Sequence, residues 1–267
     1  MKKITFIGGG NMAFALIGGL CQQAKDEITV IELLPEQREK LARLGVRVLS
    51  EPDREAIAAD IIILAVKPQQ MREAIAPLAG KLERQLVISI AAGLTLATLS
   101  GWLNGFRRLV RAMPNTPALI GKGMTGLYAL PEVNEEERDA AEKVLAAVGE
   151  ALWVEDEGKM DAITAISGSG PAYLFLFIES LEAAAGELGF SPEDARKLAL
   201  ATTLGAAELA ASSMDSPALL REKVTSKGGT TAAALAVMTE KKVSAGIIAG
   251  ALAARERSRE MAQQLAS

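Results

Sequence analysis

The stretch Phe6–Cys21, FIGGGNMAFALIGGLC, admits two incompatible readings, and the choice between them decides the fold. After Met1-Lys2-Lys3 it has the outline of a lipoprotein export signal; equally, it fits a short strand, a glycine turn and a helix. An export signal needs an unbroken apolar core and small residues before its cleavage point. Here Gly8-Gly9-Gly10 and Asn11 break the run, and bulky Leu20 directly precedes Cys21. The second reading is favoured: Lys3 to Ile7 is a buried strand, Gly8 to Gly10 a turn, and Asn11 to about Ala24 a helix. Asn11 suits the helix start because its side chain can cap free backbone N–H groups.

The same alternation continues outward from this segment. Ile4 to Ile7, Ile28 to Ile31, Ile61 to Val66, Leu86 to Ile90 and Leu109 to Arg111 are short β-rich runs separated by helical stretches, the rhythm of a parallel sheet with crossover helices. Ile61 to Val66 is apolar at every position, as a central strand covered on both faces requires. Gly126 to Leu130, Asn134 to Val148 and Leu152 to Val154 extend the pattern by a strand, a helix and a strand. After the charged junction Glu155-Asp156-Glu157-Gly158 the strand signals stop, and alanine-rich helical periodicity runs to the C-terminus. The expected domains are therefore 1–157 and 158–267. In the second, Leu174, Phe177, Ile178, Leu181 and Ala185 share one helical face. Ser191-Pro192-Glu193-Asp194 then supplies a cap, an N1 proline and acidic first-turn residues. Ala195, Leu198, Ala199, Thr202, Ala206 and Leu209 form another stripe, and so much apolar helix surface in a small domain points to a partner subunit, with a monomeric bundle as the plainer alternative.

Composition removes several function classes. The chain has 267 residues, no histidine and one cysteine, which excludes a Ser-His-Asp hydrolase, a cysteine-rich zinc site and an internal disulfide. No metal site is expected. Cys21 reads most simply as a packed helix residue, and a single cysteine suits a reducing, cytoplasmic compartment. A net charge of -4 without a dense basic stripe, and 4% aromatic residues, offer little grip on nucleic acid. No apolar run approaches the ~20 residues of a membrane helix, Ile61 to Val66 and Gly246 to Ala254 being the longest candidates. The expected partner is a small molecule.

Gly8-Gly9-Gly10-Asn11-Met12-Ala13 matches the GxGxxG/A pattern. Its first glycine permits the tight turn, its second lets a pyrophosphate approach the backbone, and Ala13 lets the helix press on the strand. Such turns can be merely structural, but here a strand precedes, a helix follows and Glu32 ends the next strand. A carboxylate at that place accepts ribose hydroxyls and repels a 2'-phosphate, which favours NAD; a solvated acidic strand end is the plainer reading, and Arg38 lies close enough to be a phosphate partner.

Four further segments accompany this turn: AVKPQ (Ala65 to Gln69), RAMPNTPA (Arg111 to Ala118), AISGSGPAY (Ala165 to Tyr173) and VTSKGGTTA (Val224 to Ala232). With them the chain resembles the pyrroline-5-carboxylate reductases over nearly its whole length. The resemblance implies an N-terminal Rossmann-type doubly wound sheet holding NADPH or NADH, followed by an all-α C-terminal dimerisation domain that interlocks with a second subunit in dimers or larger rings. It implies reduction of 1-pyrroline-5-carboxylate to proline. The loops Val66-Lys67-Pro68, Ala91-Ala92-Gly93 and Met113-Pro114-Asn115 would then embrace the ribose and nicotinamide, joining Gly8, Gly10, Asn11, Met12, Ala13 and Glu32 as cofactor residues.

Thr225 to Thr231 resembles a helix-opening turn with unpaired backbone donors, a natural anion site: the N–H groups of Gly229, Thr230 and Thr231 and the Ser226 hydroxyl could bind a carboxylate. In isolation, a threonine-capped helix is the simpler reading. The resemblance assigns this segment to the substrate carboxylate and makes Thr231, beside the ring nitrogen, the catalytic candidate. The chain departs from relatives at Lys227, usually proline, and at Pro52, where some carry a cofactor-contacting asparagine. Rival readings are a hydroxyacid-type or 6-phosphogluconate-type reductase using Lys197 or Lys223, neither in the corresponding motif, and a dinucleotide sensor without turnover.

Overall fold

The computed structural model describes residues 1–23 and 26–266, and the chain divides into two compact units: Met1–Ser169 with Ala253–Ser267, and Gly170–Leu252. The first unit is built on one sheet of β1 (Lys3–Ile7), β2 (Glu27–Ile31), β3 (Arg47–Leu49), β4 (Ile61–Leu64), β5 (Leu86–Ser89), β6 (Leu109–Met113), β7 (Gly123–Ala129) and β8 (Gly149–Trp153). Their order is β3-β2-β1-β4-β5-β6-β7-β8. Pairing is parallel from β3 through β6. β7 runs antiparallel to β6, because only a short loop joins them and a parallel return needs a long crossover. β8 is again parallel to β7.

The helices of this unit are α1 (Asn11–Gln23), α2 (Pro35–Ala42), α3 (Arg54–Ile57), α4 (Met71–Ile75), α5 (Leu96–Trp102), α6 (Glu135–Ala146) and α7 (Lys159–Ile163). The expected helix end at Ala24 lies outside the described residues. Alternation along the strands divides the core in two: Ile4, Phe6, Ile61, Ile63 and Ile88 join the cluster under α1 and α6, while Ile7, Ile62, Leu64 and Val87 join the one that includes Met71, Ile75 and Leu99. A strand apolar on both faces, such as β4, is what this two-sided packing demands. Cys21, expected to pack, is exposed. It faces away from the side of α1 that buries Leu16, Ile17 and Leu20, which is all the helix needs to dock.

The second unit contains α8 (Gly170–Glu187), α9 (Pro192–Ser212), α10 (Pro217–Lys223), α11 (Thr230–Glu240) and the start of α12 (Val243–Ala266), whose residues from Ala253 on belong to the first unit. Ser191 and Ser216 cap α9 and α10, each followed by proline at N1. Small residues close the helix packing: Ala185, Ala195 and Ala199 are buried. Several larger members of the expected stripes stay exposed within the chain, Phe177 at 46% and Leu209 at 58%, while Ile178 and Leu181 are half-buried. Residues Lys159–Glu187 are continuous enough in helical structure, and apolar enough, to cross a membrane by length and composition. That corrects the expectation of no such run: a glycine- and serine-containing sequence read residue by residue hid the continuity of α7, the wide turn after it, and α8.

The charged junction is part of the packing. Arg111, buried in β6, donates to Glu157 at 3.2 Å and lies 3.8 Å from Asp161 of α7. Glu157 also accepts the N–H of Leu96 at the start of α5 (2.8 Å), and Asp161 accepts from Ser258 of α12 (2.7 Å). These bonds fasten the last helix to the sheet. Replacing Asp161 by alanine removes an acceptor from the buried Arg111 and from Ser258 at once. Asp161→Ala should cost about 3 kcal/mol, and urea unfolding of Asp161→Ala against wild type would measure it; a change below about 1 kcal/mol would mean that Glu157 alone satisfies Arg111.

Candidate active site

The register that pairs Ile7 with Ile31 and with Leu64 brings the carboxyl ends of β1, β2 and β4 level at the point where the strand order reverses, the usual ligand crevice of an open parallel sheet. Gly8 leaves β1 there with φ of +99°. A Cβ on Gly8 would lie 2.8 Å from Val66 Cγ1 and 2.9 Å from the Ala65 carbonyl, so only glycine lets the turn pass beside the end of β4. The Gly8 N–H donates to the Ile31 carbonyl and the Gly9 N–H to Glu32 Oε2, both at 2.8 Å. The Gly10 carbonyl accepts the first helical bond, from Phe14. The helix therefore opens at Gly10, and Asn11 is its first residue with no side-chain hydrogen bond among the described residues. This corrects its reading as the cap. Gly10 takes the capping place, and its Cβ position is open, with nothing within 4 Å.

Open N–H groups from Gly10 onward, at the positive end of α1 and beside an unfilled glycine surface, form a cradle that fits a pyrophosphate. The remaining loops line the same sheet edge. Val66 and Pro68 are half-buried and Lys67 exposed. Ala91 and Gly93 are buried, and Gly93 (φ +74°) sits against Met261 and Leu265 of α12, with its Cβ position 3.4 and 3.3 Å from them. Met113 ends β6 and Pro114 follows it. The Asn115 side chain is used internally: its Nδ2 donates to the Ser167 carbonyl and hydroxyl at 3.1 and 3.2 Å, and its Oδ1 accepts the Met124 N–H at 2.9 Å. Asn115 thus braces the loop, and its partner Ser167 was not singled out by sequence reasoning. Ser167 lies in a wide π turn, Thr164–Gly168, inside AISGSGPAY; such turns gather at functional sites, and the Ser-Gly-Ser-Gly run was the only signal.

The second expected site lies in the helical unit. Gly229 N–H donates to the Ser226 carbonyl at 3.1 Å, and Gly228 has φ of +73°, the signature of a type II turn over Ser226–Gly229. That bond removes the Gly229 N–H from the expected donors, because the turn itself consumes it. α11 opens immediately afterwards with Gly229 as a cap that makes no side-chain bond. The N–H groups of Thr230 and Thr231 head the helix, and the Ser226 hydroxyl lies against the Gly229 Cβ position, beside the opening. The hydroxyls of Ser226, Thr230 and Thr231 have no partner among the described residues. Thr231 is half-buried and Thr230 exposed. Three unpartnered hydroxyls and two N–H groups at a helix start suit a carboxylate.

Ionisation is perturbed at the opposite, amino edge of the sheet: the hydrogen bond to Glu55 raises Lys3, and the Ala56 N–H followed by Arg47 lowers Asp53. Among the described residues no group of three His, Cys, Asp or Glu could hold a metal ion.

The switch-point crevice, the glycine turn and the open start of α1 define a Rossmann-type nicotinamide-dinucleotide oxidoreductase. Residues 157–261 match the family model for pyrroline-5-carboxylate reductase dimerisation, and residues 3–93 that for NADP oxidoreductase, coenzyme F420-dependent. The chain is 46% identical over 267 residues to the pyrroline-5-carboxylate reductase of Pseudomonas aeruginosa, covering 98% of each, and 43% identical to that of Haemophilus influenzae, covering 97% of each. It superimposes on a pyrroline-5-carboxylate reductase from Coxiella burnetii with a TM-score of 0.89 at 38% identity, over 97% of this chain and 98% of that one. For the Plasmodium falciparum pyrroline carboxylate reductase with NADP bound, the TM-score is 0.87 at 29% identity, over 98% of each chain. The chain belongs to the pyrroline-5-carboxylate reductase family.

The cradle makes a prediction separable from folding. Gly10→Ala places a methyl group in open space, so stability should change by no more than about 1 kcal/mol, whereas dinucleotide affinity should fall about tenfold or more as the methyl occupies the phosphate surface. Thermal unfolding and calorimetric titration of the same sample read the two effects; unchanged affinity would reduce the turn to a structural one.

Proposed function

We propose that the chain reduces 1-pyrroline-5-carboxylate to proline with NAD(P)H, acting as a self-associating enzyme on a small molecule. The observation that carries this reading is the open start of α11, with Thr230 and Thr231 unpaired behind a closed type II turn, in a chain matched end to end by named reductases of this substrate. A second anion site of this kind is superfluous in a dinucleotide sensor. It also distinguishes the chain from reductases that rely on a helix-borne lysine, since Lys197 and Lys223 lie outside the turn.

Reduction of a cyclic imine needs a hydride at carbon and a proton at nitrogen. The bound nicotinamide supplies the hydride, and a protonated imine accepts it readily, so no strong base is required, in accord with a chain that lacks histidine. The residues of this chain bind and orient. The Thr230 and Thr231 N–H groups and the Ser226 hydroxyl hold the substrate carboxylate, and Thr231 Oγ1 hydrogen-bonds the ring nitrogen. Gly10, Asn11, Met12 and Ala13 hold the pyrophosphate through backbone N–H groups, with Gly8 shaping the turn. The loops at Val66-Lys67-Pro68, Ala91-Ala92-Gly93 and Met113-Pro114-Asn115 border the nucleoside and nicotinamide, Asn115 by bracing its loop.

We assign residues 1–157 to coenzyme binding and 158–267 to substrate binding and dimerisation; the match of the dimerisation model from residue 157 supports that division. The negative net charge and the single cysteine support a cytoplasmic enzyme without nucleic-acid or membrane partners, the apolar surface of Lys159–Glu187 then serving subunit contact.

Loss of NADPH or NADH absorbance with and without 1-pyrroline-5-carboxylate tests the reading directly; turnover that does not depend on this imine would refute it. Thr231→Ala should lower turnover at saturating substrate by about tenfold or more, with an unaltered circular dichroism spectrum. An unchanged saturated rate would remove Thr231 from the chemistry.

A further inference from the structure

The loop after β5 is poor in anchors of its own. Ala91, Ala92 and Gly93 carry at most a methyl group, and Gly93 at φ +74° has a backbone that glycine enters at little cost and leaves as easily. Backbone entropy opposes the ordering of such a segment, and it has little side-chain packing to offset that cost. Its shape is set from outside, at two points. Beyond it, Leu94 is buried in the core and the Leu96 N–H, the first of α5, donates to Glu157 Oε1 at 2.8 Å. At Gly93 itself, the Cβ position lies 3.3 Å from Leu265 Cδ1 and 3.4 Å from Met261 Cβ, so α12 lies against the bare backbone of the turn. Ser258, Met261 and Leu265 stand at positions i, i+3 and i+7 of α12 and therefore share one face. The buried Ser258 hydroxyl donates to Asp161 Oδ1 at 2.7 Å, and Asp161 and Glu157 flank the Arg111 guanidinium. The acid that fastens α12 and the acid that fastens the start of α5 are thus tied to one buried cation. No step of the proposed reduction uses any of these groups.

We infer that the closing turns of α12 position the nicotinamide half of the coenzyme, with Met261 and Leu265 as positioning residues that hold the Ala91–Gly93 loop in its binding shape. In a sheet of this strand order each half receives one mononucleotide. The glycine turn and the end of β2 serve the adenosine half, so the loops after β4, β5 and β6 are left for the nicotinamide half. A loop that is formed only part of the time weakens affinity in proportion, and a loop held formed in advance removes that loss. The effect is selective: loosening the Gly93 loop weakens the half of the coenzyme beside it and spares the other. This inference rests on the coenzyme reading of the sheet edge and is independent of which imine is reduced.

The test titrates the full-length protein calorimetrically with whichever of NADPH and NADH binds more tightly, and with the adenosine half of that coenzyme, 2',5'-ADP or 5'-AMP. Leu265→Ala should weaken the whole coenzyme about fivefold and leave the adenosine half within about twofold, so that the ratio of the two affinities falls. Met261→Ala should act in the same direction. Leu265→Met, which refills the volume with a flexible apolar chain, should return most of the ratio. Gln263→Ala, at an exposed position of the same turns, should change neither affinity. A ratio that keeps its wild-type value in Leu265→Ala and Met261→Ala overturns the inference. An equal loss for both ligands also overturns it, because a helix end that only stabilises the fold would weaken the two alike. A ratio that falls as far in Gln263→Ala does the same. If Leu265→Ala does not fold, Met261→Ala and Leu265→Val decide by the same ratio. Absence of coenzyme binding in wild type would refute the dinucleotide reading along with the inference, whereas an unmoved ratio beside tight wild-type binding refutes the inference alone. Failure to reduce 1-pyrroline-5-carboxylate would refute the proposed activity and leave these ratios untouched.

Discussion

The coenzyme half of the molecule depends on the accounting of backbone N–H groups in three consecutive glycines. Gly8 gives its N–H to β2 and, by lacking a side chain, clears the end of β4. Gly9 gives its N–H to Glu32. From Gly10 onward the donors are unspent because the helix that would consume them has just begun. Two N–H groups therefore hold the turn in place, and the next ones stay free for an anion. Had Gly9 remained unbound, the turn would offer one more donor but would lack its fastening to the loop after β2. The design trades a possible phosphate contact for a fixed shape, and pre-formed donors lose less freedom on binding than mobile ones.

The same economy governs the other half. The Gly229 N–H closes its own type II turn, and the two threonine N–H groups after it head α11. In both places a glycine spends its donor on shape while the N–H groups that follow head a helix and stay unspent. Neither arrangement places a charged side chain among its donors, so a chain without histidine can still present two backbone anion cradles. Water can still reach exposed donors such as those of Thr230, so the strength of such a site depends on what covers it. Covering is also what the helical unit lacks by itself: Phe175, Leu176 and Leu204 are 63%, 65% and 61% exposed. Apolar helix faces this open are characteristic of subunit interfaces, in keeping with the dimerisation model that spans them.

Much of this was legible in the sequence, and the remainder was hidden for definite reasons. Strands β1, β2, β4, β5 and β6 announce themselves as apolar runs because both faces of the sheet are covered. β3 does not: it has three residues, and Arg47 at its start pairs with Asp53 and Glu55 at an exposed edge, so no period can form. The antiparallel entry of β7 depends on loop length, which an apolar pattern does not express. Glu32 was found by its spacing from the glycines, yet spacing fixes the Cα and not the direction of the carboxylate. Arg111 is a charge in the middle of an apolar strand and signals a buried acid, but its partners Glu157 and Asp161 lie far along the chain, and the bond from Ser258 spans 97 residues. Asn115 lies in a loop that the sequence marks, but its bracing bonds to Ser167 and Met124 are not legible there, since an amide that braces and an amide that binds look alike in one dimension.

Lys227 shows how a departure from a family pattern can be weighed once the backbone is known. It occupies the second position of the Ser226–Gly229 turn, where proline is favoured because its ring presets φ, but where most residues fit. The demanding position is the third, with φ of +73°, and glycine is retained there. The turn's shape therefore survives the exchange; what is lost is the restriction proline places on the unfolded chain, worth about 0.4–1 kcal/mol. In return the chain gains an exposed ammonium next to a helix start. An exposed charge is largely screened beyond about 10 Å, so its influence is confined to an anion arriving at that same turn. The substitution thus leaves the donors of Thr230 and Thr231 in place at the head of α11 and adds a local attraction for any anion that reaches that turn.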